Sequence, residues 1–351
     1  MAKVAAMPAL AAGEREVRPE FTGSAREYFR IWIVNLFFTL VTLGIYSPWA
    51  KVRKKRYFYG STRFDGDSFD YFASPKAILK GRIFAVAVFV VYAFAGELYP
   101  DSRYAFWIVF ALMLPWLVMR ALTFNARNSA FRGLRFDFTA GAKEAIGVYF
   151  GMGLLVVVTL GIAFPWFMAR QKSFVVSRHA LGTSGFECKL TGRQFFGIYF
   201  IAGLIVLAIA APAGAAIAFV AGWRLLPPGY EWLVPVLGSI GIYSGYAIAH
   251  AYAQANTANL LWSKATAPGV RFASTLSAIK LARLYIGNIV AIVCSAGLLI
   301  PWAVVRTLRY RLANFAMIVV PAQVYRASPT LPPVGATGQE LGDIFNLDLG
   351  I

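Results

Sequence analysis

The side chains able to do chemistry in this chain are few and scattered. His179 stands in a polar connector and His250 at the end of an apolar run, and neither has a metal-ligand companion at useful spacing. Cys188 and Cys294 are too few for a disulfide framework or a four-ligand zinc site, so both read as reduced thiols. The sequence holds no phosphate-cradling Gly-Lys-Ser/Thr loop, no Gly-x-Ser-x-Gly elbow and no His-Glu-x-x-His pair, and Gly182-Thr183-Ser184-Gly185 reads as a turn. Enzymatic chemistry is therefore the least supported class, and no catalytic residue, cofactor or metal is expected.

The remaining polar groups of interest lie within apolar runs: Asn35, Thr39, Thr42, Thr159, Asn288 and Ser295. Hydrogen bonding between helices accounts for them most simply, with a polar path for a solute as the sharper alternative. Asn125 with Asn128, and Asn256 with Asn259, stand three apart on one helical face, suited either to a lipid headgroup or to structural pairing. Glu97, Asp101 and Glu231 all flank short connectors, so no apolar run carries a carboxylate near its middle, which argues against a proton-coupled carrier.

The elements that must position these groups are membrane helices. Hydrophobic residues make up 59% of the 351, charged residues only 14%, and the mean hydropathy is +0.61, well outside the range of soluble domains. Seven apolar runs approach the length needed to cross a bilayer: Phe29–Tyr46, Ile83–Leu98, Tyr104–Met119, Ile146–Met168, Ile198–Ala221, Trp232–Ala249 and Leu284–Val305. The formal charge of +18 is then explained by cytoplasmic connectors facing anionic lipid, not by nucleic acid.

One motif recurs three times. Thr42-Leu43-Gly44-Ile45 with Pro48, Trp49 and Arg53 is echoed by Thr159-Leu160-Gly161-Ile162 with Pro165, Trp166 and Arg170, and by Ser295-Ala296-Gly297-Leu298 with Pro301, Trp302 and Arg306. Each copy follows an apolar run and precedes a basic one. Glycine ends a helix at low steric cost, and proline suits the first turn of the next. Ser47 is placed to cap that second helix in the first copy, whereas Phe164 and Ile300 replace it in the others. A shift of 117 positions lays Phe21–Asp70 on Phe138–Glu187 without a gap, with Pro, Trp and Arg in register, and marks an internal repeat. An aromatic, a small or hydroxyl residue and a basic residue open five units, 21–68, 69–137, 138–185, 186–271 and 272–326. Tyr57–Phe64, Asp65-Gly66 and Ser68–Phe72 read as a β-hairpin, with weaker relatives between the other units.

Alternating all seven runs across the membrane would spread Lys and Arg almost evenly over both faces. If the three motif-bearing runs instead enter and leave on one face, all but Arg103 and Arg224 of the 34 basic residues lie inside. The expected fold is therefore an all-α polytopic membrane protein with small cytoplasmic β-hairpins. Four helices cross, three Gly-x-x-x-Pro-Trp segments are re-entrant or interfacial, and the C-terminus is cytoplasmic. The alternative has seven crossings and a 3+3 inverted repeat. Residues 1–20 and 327–351 read as disordered tails flanking one membrane domain, 21–326, and Glu340–Leu349 is an acidic, apolar alternation suited to a basic face.

Phe21–Ile33, Thr42–Ala50 and Lys51–Phe64, above all the string Thr-Leu-Gly-Ile-Tyr-Ser-Pro-Trp-Ala-Lys-Val-Arg, resemble the YjgN family of bacterial inner-membrane proteins, a domain-of-unknown-function family. The resemblance runs from Phe21 to about Val320. It implies a multi-pass inner-membrane location and brings no activity or catalytic residue. The leading functional expectation is a structural or envelope-maintenance role that engages anionic lipid, a protein partner or a second copy of the chain. The other is a transporter or channel for a small anionic or lipid-like solute. A polar cavity reaching Asn35, Thr42 or Asn288 would favour transport, and a filled interior the structural role.

Overall fold

The computed structural model describes residues 10–320 apart from 12, 223–228 and 231. Arg224, Glu231 and the C-terminal segment from Ala327 thus lie outside the described residues. The chain is mostly helical, and among the described residues four helices are long and apolar enough to cross a membrane: α3 (Pro75–Leu98), α4 (Ser102–Arg127), α8 (Gly192–Gly222) and α9 (Leu233–Lys264). Even the shortest, with 24 residues, is about 36 Å long against a hydrocarbon core of about 30 Å. Their apolar side chains point outward: Ile83, Phe84, Val86, Phe89, Val91 and Phe94 of α3 are each more than half exposed, a surface that only lipid can solvate.

The other three apolar runs form helix–turn–helix hairpins in which no helix exceeds 17 residues. The first joins α1 (Ala25–Val41) to α2 (Ser47–Ser61). In the second, α5 (Ala142–Ala145), a π-helical turn (Ile146–Gly151) and α6 (Met152–Val158) make one arm and α7 (Phe164–Arg178) the other. The third joins α10 (Ala278–Cys294) to α11 (Ile300–Ala313).

Among the described residues, twelve short strands connect these helical units. They are β1 (Arg15–Val17), β2 (Glu20–Phe21), β3 (Thr62–Phe64), β4 (Asp67–Tyr71), β5 (Ser129–Phe131), β6 (Leu134–Phe138), β7 (His179–Leu181), β8 (Ser184–Gly185), β9 (Glu187–Cys188), β10 (Ala265–Ala267), β11 (Val270–Ser274) and β12 (Phe315–Val319). One sheet has the order β1-β12-β11-β10-β9 and the other β2-β3-β4-β5-β6-β7-β8, with every pairing antiparallel. Only Arg18 and Pro19 separate β1 from β2, and only Phe186 separates β8 from β9. The chain therefore passes from one sheet to the other at both ends, and the neighbours close into a circuit. Pro19 has no N–H to offer a ladder, which suits one of these corners, and at the other the Phe186 N–H donates to His179 O at 3.0 Å. Closure is visible in the side chains too: Phe64 of the second sheet meets Phe315 of the first at 6.1 Å and Phe131 at 6.4 Å.

This circuit fixes how every helical unit hangs. The strand that leads into each unit pairs with the strand that leaves it: β2 with β3 around α1–α2, β4 with β5 around α3–α4, and β6 with β7 around α5–α7. The pairs β9–β10 and β11–β12 do the same for α8–α9 and α10–α11. All five units consequently leave from one edge of the strands. The first and third hairpins also touch, through Arg309 Nη2 donating to Gly23 O at 2.8 Å.

Two local expectations need correction. Tyr57–Ser61 is the last turn of α2 and not strand, because Tyr57 packs back on α1; the hairpin starts at Thr62 and turns at Asp65-Gly66, both with positive φ. Arg15–Val17 and Glu20, expected in the N-terminal tail, lie in β1 and β2; β1 completes the pairing of β12, with Arg15 opposite Val319.

Candidate membrane-interface site: the three hairpin turns

The three turns have the same backbone. Leu43, Leu160 and Ala296 are left-handed at φ 48°, 50° and 47°, and the glycines that follow have φ of 91°, 91° and 90°. Gly44 N–H donates to Thr39 O at 2.7 Å, Gly161 N–H to Val156 O at 2.8 Å and Gly297 N–H to Ile292 O at 2.8 Å, the six-to-one bond that closes a Schellman helix end. Glycine normally occupies the first left-handed position. Here it stands one place later than the sequence reading put it, and a leucine or alanine accepts the strain. Leu43 and Leu160 are each 94% exposed, so an apolar side chain crowns the apex with nothing of the protein around it.

Capping comes from the residue that opens the motif, not from Ser47. The hydroxyl of Thr42 accepts from Tyr46 N–H, that of Thr159 from Ala163 N–H and that of Ser295 from Leu299 N–H, each at 3.0 Å. Ser47 Oγ instead donates to Gly44 O and receives Arg82 of α3, which also reaches Gly44 O at 3.4 Å. Arg82 thus covers a backbone carbonyl freed at the first apex. Pro48, Pro165 and Pro301 sit in the first turn of the second helices, and all three are buried. Trp49 stacks near Tyr46 at 6.1 Å; Trp166 lies on Phe196 at 5.3 Å and against Gly192, where a Cβ would strike its ring. Trp302 carries Arg306 over its face at 4.9 Å, and Arg53, Arg170 and Arg306 are all exposed.

The asparagines do structural work. Asn35 Nδ2 donates to Ala50 O at 3.4 Å, and Asn288, 253 positions later, donates to Ala303 O at 3.3 Å and Thr307 Oγ1 at 2.9 Å while accepting from Arg306 at 3.2 Å. Both are buried and pin the two arms of their own hairpin. Thr42 also donates to Phe38 O within its helix. Asn125 accepts from Lys55 Nζ at 2.9 Å, and Asn128 and Asn256 bond the carbonyls four residues before them. Buried Asn259 ties the end of β11 to α9 through Leu276 O, Leu276 N and Ser274 Oγ. Asn35, Thr42 and Asn288 thus each bond within their own hairpin.

At the circuit's outer rim, Arg15 and Arg132 converge on Asp65 at 2.7 and 3.2 Å and hold its carboxyl below the usual carboxylate value. Burial pushes the Cys188 thiol up to about 11, so it is an inert thiol. No group of three or more His, Cys, Asp or Glu able to hold a metal occurs among the described residues.

The sequence profile of a family described as bacterial protein of unknown function (DUF898) matches residues 16–344. The chain belongs to that family. Its relatives include the inner membrane protein YjgN of Salmonella typhimurium strain LT2, 29% identical over 144 residues that cover 40% of this chain and 36% of the relative. YjgN of Escherichia coli K12 is 29% identical over 147 residues with the same coverage. The chain thus aligns with about a third of the length of these curated relatives. No solved structure matches it significantly. The family resemblance read from the Thr42–Arg53 string holds, and with four crossing-length helices the family's inner-membrane setting fits this chain.

Proposed function

We propose that the protein is a non-enzymatic scaffold of the bacterial inner membrane, whose three hairpins are copies of one unit that dip into the cytoplasmic leaflet and bind anionic lipid there. The carrying observation is that both ends of each hairpin hang from paired neighbouring strands, so its arms enter and leave on the face where the strand circuit stands. The depth fits one leaflet. Arg53, Arg170 and Arg306 each stand six residues past the first residue of the second helix, about 9 Å along it, which is less than half of a hydrocarbon core of about 30 Å.

The crossing helices give a second measure. The first apex is level with Arg82, seven residues past the start of α3, and Phe164 at the second apex meets Tyr199, seven residues past the start of α8, at 5.2 Å. The third hairpin runs further along its neighbour, with Tyr285 beside His250. On this reading the circuit, the C-terminus and nearly all basic residues are cytoplasmic, as the positive-inside rule favours. The arginines beyond the tryptophans meet phosphate at headgroup depth. A carrier draws little support, since Asn35 and Asn288, the candidates for its path, spend their donors on their own hairpins.

Single cysteines placed in a Cys188→Ser, Cys294→Ser background test the topology. With a membrane-impermeant maleimide on intact cells, Asp101→Cys in the α3–α4 connector should label and Thr183→Cys in the β7–β8 turn should not until the inner membrane is opened. Labelling of Thr183→Cys in intact cells would sink the scheme and restore the seven-crossing inverted repeat. For lipid, R53E/R170E should weaken capture by anionic vesicles at low salt and leave neutral vesicles unaffected; equal capture removes the lipid role.

A further inference from the structure

We infer that the groove between α9 and α10 is a binding site for one acyl chain of a phospholipid; the inference goes beyond the headgroup reading above and rests only on the membrane setting of the crossing helices. The groove has a volume of about 530 Å³ and runs along residues 235–247 of α9, with Ile286, Ile289 and Val290 of α10 as its other wall. No charged side chain lines it among the described residues. Ile240, Ile289 and Val290 are each more than half exposed, so the groove opens to the surface, where a crossing helix meets hydrocarbon.

The residue types at the contact of the two helices set its shape. α9 ends at the strand circuit and α10 starts from it, so they run antiparallel. Nearest the circuit, Ala251 and Ala255 meet Leu281 and Ala282, all buried, and the small side chains let the helices close on each other. From Ala247 onward the facing side chains include Tyr243, Ile240, Ile286 and Ile289, and a gap stands between the helices. The groove is therefore closed toward the circuit and open at Pro235. That end is one turn from Trp232, whose ring, like that of Tyr230, is more than half exposed. A bilayer holds both ring types at headgroup depth.

The dimensions choose the occupant. Residues 235–247 make about 18 Å of helix, so the volume corresponds to a mean cross-section of about 30 Å². A helix with its side chains is at least about 10 Å across and needs about 80 Å², so a helix of a second copy does not fit inside. A single polymethylene chain does, and the length of about 18 Å is close to the half-thickness of the hydrocarbon core, about 15 Å. Water is a poor filling, because hydroxyls are few there and that of Ser244 already donates to Gly241 O at 2.8 Å. An empty groove would forfeit dispersion contacts along both walls. The chain enters from the leaflet away from the strand circuit, which is the periplasmic one on the topology proposed above.

The test uses the full chain reconstituted in vesicles that contain a phosphatidylglycerol with a diazirine in one acyl chain. After irradiation, peptide mass spectrometry should place adducts on residues 235–247 and 286–290 about fivefold more often than on residues 83–94 of α3, a comparably exposed surface. Ser239→Phe puts a ring in the groove from an exposed position, and Ala247→Leu shortens it at its closed end. Each should abolish the excess, with circular dichroism and size exclusion checking the fold. Adducts spread evenly over α3, α9 and α10 in wild type overturn the proposal, as does a folded Ser239→Phe that keeps the excess; should that variant not fold, Ala247→Leu decides alone. A groove free of adducts in a wild-type dimer that Ser239→Phe splits into monomers also overturns it and gives the surface to a second copy. R53E/R170E should leave the excess unchanged, so the headgroup reading and this one fail separately. An inverted outcome of the maleimide experiment would change the leaflet and not the adducts.

Discussion

The first and third hairpins are pinned by a buried asparagine and a tyrosine clamp, and the second, with the same turn, has neither. Tyr57 Oη receives Ser24 N–H at 2.8 Å and donates to Ser24 O at 2.9 Å; Tyr310 makes the same two bonds with Ser277 at 3.0 and 3.2 Å. Ser24 and Ser277 cap their helices, and Asn35 and Asn288 pin the arms. At the counterparts of these three positions the second hairpin has Gly141, Met152 and Phe174, and its arms are joined instead by the Arg178–Glu144 ion pair at 2.7 Å, a Tyr149–Gln171 side-chain hydrogen bond and the packing of Phe138, Ala145, Val148, Tyr149, Phe174 and Val175. Its first arm also contains the π-helical turn Ile146–Gly151. The difference separates two jobs. Local sequence sets the turn, whose dihedrals agree within a few degrees in all three copies, whereas the means of joining the arms differs between copies.

The largest effect should come from breaking the richest pin. Asn288→Ala removes three bonds from a buried side chain, to Ala303 O, to Thr307 Oγ1 and from Arg306, and should cost about 2 kcal/mol in denaturant unfolding of the detergent-solubilised protein. Asn35 makes one long bond and leaves its own Oδ1 unpaired, so Asn35→Ala should cost about 1 kcal/mol. Met152→Ala, at a half-buried position, should fall at or below that. A ranking with Met152→Ala at the top would show that the asparagines are not what joins the arms.

The shared turn predicts the opposite pattern, equality. Gly44→Ala and Gly161→Ala place a Cβ in open space, and Gly297→Ala meets only Ile300 Cδ1 at 3.6 Å, so left-handed strain alone is added. Each should cost about 1 to 2 kcal/mol. A cost confined to one hairpin would mean that its neighbours, not its dihedrals, fix the turn.

Much of this was legible in the chain because it is local. Apolar length announced seven runs, the distribution of Lys and Arg favoured four of them as crossings, and Gly-x-x-x-Pro-Trp announced three turns, because a glycine after a helix and a proline opening the next act over a few residues. The circuit was not. Its strands hold two to five residues, too few for alternation to show, and its closure pairs Arg15 with Val319 across almost the whole chain. Hydrogen bonding between helices was the simplest reading of Asn35 and Asn288, but their partners were not legible, since a polar residue in an apolar run looks the same whichever neighbour it pins; the capping role given to Ser47 belongs to Thr42. A signal for the pins did exist: Ser24, Asn35 and Tyr57 recur together as Ser277, Asn288 and Tyr310, at the same spacing as the turn itself.

Removing the tyrosine clamps should have a smaller effect than removing the richer asparagine pin. Tyr57→Phe and Tyr310→Phe each lose two bonds to a partly solvated backbone and should cost about 1 kcal/mol. The reverse substitution is the finest test of the comparison. The clamp grips only the backbone N–H and C=O of the capping residue, so a hydroxyl on Phe174 would find the same groups on Gly141, although glycine offers no side chain. If the second hairpin keeps the geometry of the others at this end, Phe174→Tyr should be neutral or stabilising by up to about 1 kcal/mol. If its apolar packing has moved the arm, the new hydroxyl is buried against Phe138 and Tyr149 without a partner, and the variant should lose about 1 to 3 kcal/mol. The sign alone therefore decides whether the second hairpin differs from its neighbours in chemistry only or in the placement of its arms as well.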